Sequence, residues 1–342
     1  MPIKFKSSMF HQKILDPNNN FQPALIPLEV RRDTLTGHAA VIQEFRFRSK
    51  MPKPDYSFLI EKTRPICPFC SPGVDENSPR FPPEFIKEGK LEKYGVLVIP
   101  NFNPYATYSA ISILSRNHFT EITQFSENII VNGLLASQEY LRRVRSFDPK
   151  ARYLSVNWNY LPPAGGSVIH PHFQPVAAYI RNTYMKETLS ASKRYMLRNG
   201  VTYWSDLVKT EKEKGERFIG ETGGVSWLVN YAGRGREPDI LGIFEKKGSI
   251  LELTAADFKD YFNGLSRIFR YMTDNNYMSF NLCIYSAPAG QDHYRTHARL
   301  RLRFQFPILG TADACFIEAL HDDFLCQTFP EAACGEIKKY FI

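Results

Sequence analysis

Hydrophobic and polar positions in the first half of the chain follow a recognisable order of strand and helix periods. Residues 94–101 and 108–114 have strand patterns, residues 121–144 follow a helical period, and residues 152–160 alternate again. A loop then leads into a short segment whose prolines favour extended backbone. The first half therefore predicts strand, strand, helix, strand, loop and strand.

The second half repeats this order. Strand patterns occupy residues 226–231 and 239–244, a helical pattern covers 255–274, and two further strands are predicted over 277–285 and 294–306. The two halves therefore contain the same kinds of element in the same sequence.

Short identical segments support a duplication. Asn132-Gly133-Leu134 recurs as Asn263-Gly264-Leu265, and Leu154-Ser155-Val156-Asn157 resembles Met278-Ser279-Phe280-Asn281. A repeat of this length predicts two related units that pack side by side. We therefore expect an α+β protein with one half at residues 1–195 and the other at residues 196–342.

The segments outside the repeated elements are less regular. Residues 33–37, Asp-Thr-Leu-Thr-Gly, predict a turn before an extended segment over residues 39–47. The proline-rich stretch 52–83 is expected to be irregular and without helix, so that a metal would have to supply its rigidity. Residues 329–331, Phe-Pro-Glu, are interpreted as a loop.

Composition narrows the class of protein. The 342 residues are 43% hydrophobic and 23% charged, which excludes a disordered or fibrous chain. A net charge of +8 suits an anionic ligand, but the basic residues are scattered, which disfavours a nucleic-acid surface. The chain has neither an apolar run long enough to span a membrane nor a signal-peptide pattern, so we expect a cytoplasmic location.

Residues 165–175 carry the strongest chemical signal. His170, His172 and Gln174 occupy alternate positions of an extended segment and are expected to share a face. The preceding Gly165-Gly166-Ser167 can bring backbone N–H groups close to an anion. An imidazole can attack phosphorus through one nitrogen while a carbonyl holds the other N–H, so His172 is the predicted nucleophile rather than an ordinary strand residue.

Gln174 favours transfer over hydrolysis. An amide can donate a hydrogen bond to a phosphoryl oxygen, but it does not titrate and is a poor activator of water. An acceptor that is already anionic needs no general base. The predicted chemistry is therefore nucleotidyl transfer to phosphate or a sugar phosphate.

Further polar residues are weaker candidates. Asn159 and Ser167 stand where they could bind an α-phosphate, or they are simply polar residues of a turn and a strand end. In the second half, His297, Arg299 and Arg301 could face an acceptor phosphate or form a solvated strand face.

Cys67 and Cys70 have the short spacing that zinc sites use. Together with His118 and His170 they form a candidate Cys₂His₂ set, although a redox pair or two unligated thiols would also fit the spacing. The other four cysteines are dispersed and are interpreted as buried thiols.

The segment from Gly165 to Gln174 resembles the active-site motif of the galactose-1-phosphate uridylyltransferase branch of the histidine triad superfamily. That branch also includes ADP-glucose phosphorylases and diadenosine tetraphosphate phosphorylases. The resemblance implies two tandem histidine-triad-like repeats, each an antiparallel sheet with a packed helix. It implies His172 as covalent nucleophile, Gln174, Asn159 and Ser167 as phosphate contacts, and structural zinc. The implied zinc ligands are Cys67, Cys70, His118 and His170.

The resemblance also implies a nucleotide-sugar or dinucleoside polyphosphate substrate, an anionic acceptor, and a homodimer. Two departures bear on specificity. Gly165 to Ile169 differ from the Gly-Cys-Ser-Asn-Pro lead-in of true uridylyltransferases, and Arg299 stands where these often have a histidine ligand of a second metal. A hydrolase of the same anhydrides and a non-catalytic nucleotide-binding relative are the alternatives.

Overall fold

The computed structural model describes residues 3–44, 52–303, 305–306 and 311–342. The helices are α1 (Ser57–Thr63), α2 (Gly73–Glu76), α3 (Glu127–Phe147), α4 (Thr183–Asn199), α5 (Tyr203–Lys214), α6 (Ala255–Asp274), α7 (Phe316–Leu320) and α8 (Pro330–Lys338). The strands are β1 (Lys6–Asp16), β2 (Gln22–Arg32), β3 (Ala39–Ile42), β4 (Leu91–Lys93), β5 (Val96–Pro100), β6 (Tyr108–Ile113), β7 (Tyr153–Tyr160), β8 (His172–Ala178), β9 (Phe218–Thr222), β10 (Val225–Val229), β11 (Ile240–Phe244), β12 (Ser279–Ser286), β13 (His297–Arg303), β14 (Gln305–Phe306), β15 (Thr311–Ala312) and β16 (Phe324–Cys326).

One sheet of ten strands joins the two halves of the chain. Its order is β4-β5-β6-β8-β7-β12-β13-β11-β10-β9, with antiparallel neighbours throughout. Read from each edge inward, the order of the first half is matched by that of the second. The α+β class is confirmed, and the strand order is consistent with tandem repeats. The division at residue 195 stays a prediction.

The register at the centre of the sheet relates the two halves residue by residue. Asn157 pairs with Gln174 in the first half, and Asn281 pairs with Arg301 in the second. Two positions upstream of Gln174 and Arg301 stand His172 and Arg299. The sheet therefore places Arg299 in the position that His172 holds in the other half.

Helices α3 and α6 cover one face of this sheet because each has a continuous apolar stripe. On α6, Tyr261 stacks on Trp227 of β10, and Phe269 packs against Phe280 of β12. Each helix begins at a hydroxyl cap: Ser126 accepts from the backbone N–H of Ile129, and Thr254 accepts from that of Asp257. The opposite face of the sheet carries the candidate site.

Most predicted elements of the repeat are confirmed, and α6 has the predicted bounds. The first-half helix begins at Glu127 rather than 121, since residues Ile122–Gln124 form a separate 3-10 turn. The last strand begins at His297 rather than 294. The turn over residues 33–37 is present, and the extended segment after it is strand over Ala39–Ile42; residues 45–47 lie outside the described part.

Two predictions near the ends of the repeat were wrong. The proline-rich stretch contains α1 and the short α2, because Ser57–Thr63 lies in an interval free of proline. Residues 329–331 are not a loop. Pro330 occupies the first turn of α8, where its missing N–H costs no hydrogen bond.

The second sheet, ordered β1-β2-β3-β16, carries a long hairpin. Its attachment to the body of the protein includes Glu331 on α8, which accepts hydrogen bonds from Arg31 of β2 at 2.8 and 3.0 Å and from Arg217 at 2.6 Å. Both arginine side chains are almost wholly buried. None of the described helices is both long enough and apolar enough to cross a membrane.

Candidate active site

His172 is the first residue of β8 and is buried. Its Nδ1 lies 2.8 Å from the backbone oxygen of His170. A carbonyl only accepts, so Nδ1 carries the proton and Nε2 keeps its lone pair. Burial lowers the pKa of His172 below its usual value, which favours the neutral, nucleophilic imidazole.

Gln174 shares a face of β8 with His172, as alternation along a strand requires. It is buried and paired in register with Asn157, whose Nδ2 donates to the backbone oxygen of Gln174 at 3.0 Å. Phe69 packs edge-on against His172 with 5.1 Å between ring centroids. A cavity of about 780 Å³ opens beside Phe69 and Ile113, the residue opposite His172 on β6.

The loop before His172 depends on its glycines in two ways. Gly165 has φ of +78°, a conformation that side chains disfavour, and a Cβ on Gly166 would lie 2.9 Å from the backbone oxygen of Asn159. Both backbone N–H groups are used inside the loop: Gly165 donates to Pro162 and Gly166 to Leu161. Phosphate binding by these two amides therefore stays a prediction. Gly165 and Ser167 are exposed, whereas Gly166 is buried.

Asn159 is oriented by a residue that sequence reasoning did not select. Asn281, directly opposite on β12, donates from Nδ2 to the Asn159 Oδ1 at 2.7 Å and to the Ala164 backbone oxygen at 2.8 Å. Its Oδ1 accepts from Arg303 at 2.7 Å. The Asn159 amide thus keeps its N–H donors for another partner. The echo between Asn157 and Asn281 was the signal in the sequence that could have identified this residue.

The four candidate metal ligands come together as predicted. Their ligand atoms lie within 4.8 Å of one another. The Sγ of Cys70 lies 3.4 Å from His118 Nδ1 and 3.5 Å from His170 Nδ1, and the Cys67 Sγ lies 3.7 Å from His170 Nδ1. Sulfur and nitrogen ligands of tetrahedral zinc stand about 3.6 Å apart, so the cluster could hold such an ion.

The outer nitrogens of both histidines are also engaged. His170 Nε2 lies 2.8 Å from the Ser115 backbone oxygen, and His118 Nε2 lies 3.0 Å from the Thr63 hydroxyl. Such contacts leave each Nδ1 free to bind a metal. Because the His170 carbonyl holds His172, the cluster also fixes the orientation of the candidate nucleophile.

The second-half counterpart of this cluster is built differently. His297 is fully buried, stacks on Trp204 at 4.1 Å, and lies 2.9 Å from the Tyr184 hydroxyl. Its expected role in facing an acceptor is therefore wrong, because aromatic rings enclose it. Among the described residues, the cluster of potential metal ligands is the one that contains Cys67.

Arg299 is not on a solvated strand face. Its side chain is 12% exposed, and its Nε donates to Asp239 at 2.5 Å. Its predicted role as a phosphate ligand stays a prediction. The turn at Asp33 lines a small cavity together with Arg299 and Tyr184.

Comparison with known proteins decides the fold. No family model matches the chain. A protein of Archaeoglobus fulgidus, described only as uncharacterized, is 29% identical over 317 residues, which cover 91% of this chain and 92% of that protein. An ADP-glucose phosphorylase structure from Arabidopsis thaliana with bound ADP-glucose superposes with a TM-score of 0.71 at 17% identity, over 91% of this chain and 99% of that one.

A uridylyltransferase structure superposes with a TM-score of 0.66 at 17% identity, over 91% of this chain and 97% of that one. The chain has a uridylyltransferase-like fold. The resemblance predicted from residues 165–174 is thus confirmed for the fold. In this uridylyltransferase-like fold, His172 begins an inner strand of the sheet, two strands from the nearest strand of the second half.

Proposed function

We propose that the protein is a nucleotidyltransferase that works through a covalent nucleotidyl group on His172. The observation that carries the proposal is the hydrogen bond from His172 Nδ1 to the His170 carbonyl, which leaves Nε2 unprotonated beside Gln174. The likeness to an ADP-glucose phosphorylase and a uridylyltransferase supports this class of reaction. The substrate would be an NDP-sugar or a dinucleoside polyphosphate.

In the first step the Nε2 lone pair attacks the α-phosphorus and forms an N–P bond. The bond from that phosphorus to the bridging oxygen breaks, and the phosphorylated leaving group departs with the electron pair. The amides of Gln174 and Asn159 donate to the phosphoryl oxygens, where negative charge develops. Neither amide can take a proton from water, which keeps the intermediate available for transfer.

In the second step an oxygen of phosphate or of a sugar 1-phosphate attacks the same phosphorus. The N–P bond breaks and its electron pair returns to the imidazole. An acceptor that is already anionic needs no base, in agreement with the absence of a titrating group at position 174.

We also propose that Cys67, Cys70, His118 and His170 hold a structural zinc ion. When bound, the ion would lock these four side chains together and so tie the loop after α1 to the strand of His172. The described ligand distances support a tetrahedral site.

The decisive experiment is to trap the intermediate. Incubation with ADP-glucose or UDP-glucose labelled at the α-phosphate should leave acid-labile label on the wild-type protein and none on His172→Gly. His321→Ala, which changes an exposed histidine, should label like wild type. Equal labelling of His172→Gly, or no labelling of wild type by any nucleotide, would contradict the mechanism.

The alternatives give different products. A hydrolase would release nucleoside monophosphate at the same rate with and without an acceptor. A non-catalytic relative would bind nucleotide without exchanging label between the nucleotide and a sugar phosphate. Measuring product release with and without phosphate separates these outcomes.

A further inference from the structure

Three arginines in the second half bring unpaired N–H donors into the interior. The buried nitrogens are Nη2 of Arg234, Nη2 of Arg299, and Nε and Nη2 of Arg301, and none has a hydrogen-bond partner within the described residues. Buried charged donors normally face an acceptor, because water or protein must replace the hydration that burial removes. These four nitrogens therefore indicate a binding site for a ligand that accepts hydrogen bonds.

The three side chains lie close together. The guanidinium carbons of Arg234 and Arg299 lie 5.5 and 5.2 Å from the centroid of the Tyr184 ring. Asp239 joins them further, since its Oδ1 accepts from the Arg234 backbone N–H at 2.7 Å and its Oδ2 accepts from Arg299 Nε.

Arg301 lies two residues after Arg299 on β13, so its side chain is on the same face of the sheet and extends towards Arg234. Its guanidinium lies against Gly235, where a Cβ would stand only 2.5 Å from Arg301 Nε. Gly235 has φ of +130° and follows Arg234 directly. The missing side chain at Gly235 is what lets Arg301 approach Arg234.

Direct ion pairs balance only part of the positive charge in this cluster. Asp239 pairs with Arg299, and Asp313 pairs with Arg303. Arg234 and Arg301 form no ion pair within the described part of the chain. Asp239 acts on both at longer range, as do Asp33 on Arg234 and Asp313 and Glu318 on Arg301. Burial and a neighbouring arginine lower the pKa of both Arg234 and Arg301. A bound anion would offset this repulsion.

We propose that Arg234, Arg299 and Arg301 form a phosphate-binding site in the second half, separate from the site at His172. Planar guanidinium groups with several fixed N–H donors match the geometry of a phosphate group. The register of the sheet adds a second argument, because Arg299 holds the position that His172 holds in the first half.

The two sites share a face of the sheet but do not coincide. Residues in direct register point to the same side, so one row runs from Gln174 through Asn157 and Cys283 to Arg299. Strands β8 and β13 are separated by β7 and β12, which places them roughly 14 Å apart. The inference depends on the arginines alone and stands whether or not His172 forms a nucleotidyl intermediate.

The test uses the full chain with arginine Nε labelled by nitrogen-15. The Arg301 resonance is assigned by its loss in Arg301→Lys and followed while inorganic phosphate, or separately glucose 1-phosphate, is added at constant ionic strength. A saturable shift of this resonance is expected. A response to both compounds shows that one phosphate group suffices, and a response only to the ester identifies a phosphate ester as the ligand.

Variants supply the second arm. Calorimetry should show that Arg301→Gln and Arg234→Gln each weaken phosphate binding at least tenfold. Arg270→Gln makes the same charge change at an exposed position of α6 and should bind like wild type. The melting temperature of each variant checks that it is folded.

The proposal is overturned if the Arg301 resonance of wild type does not respond to either compound at millimolar concentration. It is also overturned if folded Arg234→Gln and Arg301→Gln bind phosphate as wild type does. Should both variants fail to fold, the wild-type resonance alone gives the answer, since it reports contact at Arg301 directly.

Discussion

His172 is positioned by residues that would take no part in bond making. The His170 carbonyl fixes its tautomer, and Phe69 packs against its ring. Asn281 acts in the same way on Asn159 from the other half of the chain. The geometry of the candidate site is thus set by backbone and amide groups whose sequence signal is weak.

Gln174 allows a direct test of the proposed transition-state contact. Gln174→Ala should lower kcat for nucleotide exchange between ADP-glucose and phosphate by roughly 10²-fold, because one donor to the developing charge is lost. Gln12→Ala, at an exposed position of β1, serves as the control and should leave kcat unchanged. An unchanged kcat in Gln174→Ala would remove this residue from the mechanism.

At the level of elements, the repeated Asn-Gly-Leu segment marks where each helix packs on the sheet. A Cβ on Gly133 would stand 2.3 Å from Leu114, and one on Gly264 would stand 2.2 Å from the Trp227 indole. The sequence echo therefore reports close helix-to-strand contact rather than chemistry.

This contact reverses the usual effect of replacing a helical glycine. Gly264→Ala should lower the free energy of unfolding by about 1–3 kcal/mol, because overpacking outweighs the gain in helix propensity. A Cβ on Gly335 of α8 would meet nothing within 4 Å, so Gly335→Ala should raise the free energy of unfolding by about 0.5–1 kcal/mol. Urea unfolding of both variants measures whether each change raises or lowers the free energy of unfolding. A stabilised Gly264→Ala would refute the packing argument.

The cluster of Cys67, Cys70, His118 and His170 lies between an irregular segment and the sheet, and the proposed zinc ion would tie the two together. Elemental analysis of the purified protein should find about one zinc per chain. Cys70→Ser should lose the metal and melt at a lower temperature, since the loop would lose its anchor. Cys315→Ser changes a cysteine outside the cluster and should keep the metal; a metal-free wild type that melts no lower than the loaded protein would contradict a structural role.

Periodicity predicted the repeated strands and helices because each of them buries one regular face. It did not predict α1 or α8, since prolines in and around them concealed short helices whose stability comes from packing. The motif predicted His172 and Gln174, and the Cys-X-X-Cys spacing together with the resemblance predicted the four clustered ligands. Neither could reveal Asn281 or Arg234. Both depend on strand pairing or loop approach between residues that are distant in sequence.

At the scale of the whole molecule, Glu331 connects α8 to Arg31 of the hairpin sheet and to Arg217, the residue before β9. Burial raises the pKa of Glu331, but hydrogen bonds from Arg31 and Arg217 outweigh it and the net shift is downward. A carboxyl whose pKa is lower in the folded state stabilises the fold above its ordinary pKa. That stabilisation is lost as the pH falls below about 4.5 and through the folded value.

Glu331→Gln should therefore reduce the free energy of unfolding at pH 7 by about 1–3 kcal/mol, since two buried arginines lose a charged acceptor. The difference from wild type should shrink as the pH falls below about 4.5. Glu336→Gln breaks an exposed ion pair with Lys339, the residue that follows α8, and should change stability by less than about 0.5 kcal/mol. Denaturant titrations at pH 7, 5 and 3.5 measure this difference in the free energy of unfolding. A difference between wild type and Glu331→Gln that grows on acidification would contradict the stabilising role of the Glu331 carboxylate.

The pairing of β7 with β12 makes the geometry of each half depend on the other. A slip of one residue in this pairing would turn Asn281 towards the helix-covered face and withdraw it from Asn159 and Ala164. A change in the central strand of the second half would therefore also disturb the candidate site of the first half. Cutting the chain between the two halves would therefore divide one continuous sheet rather than release two independent domains.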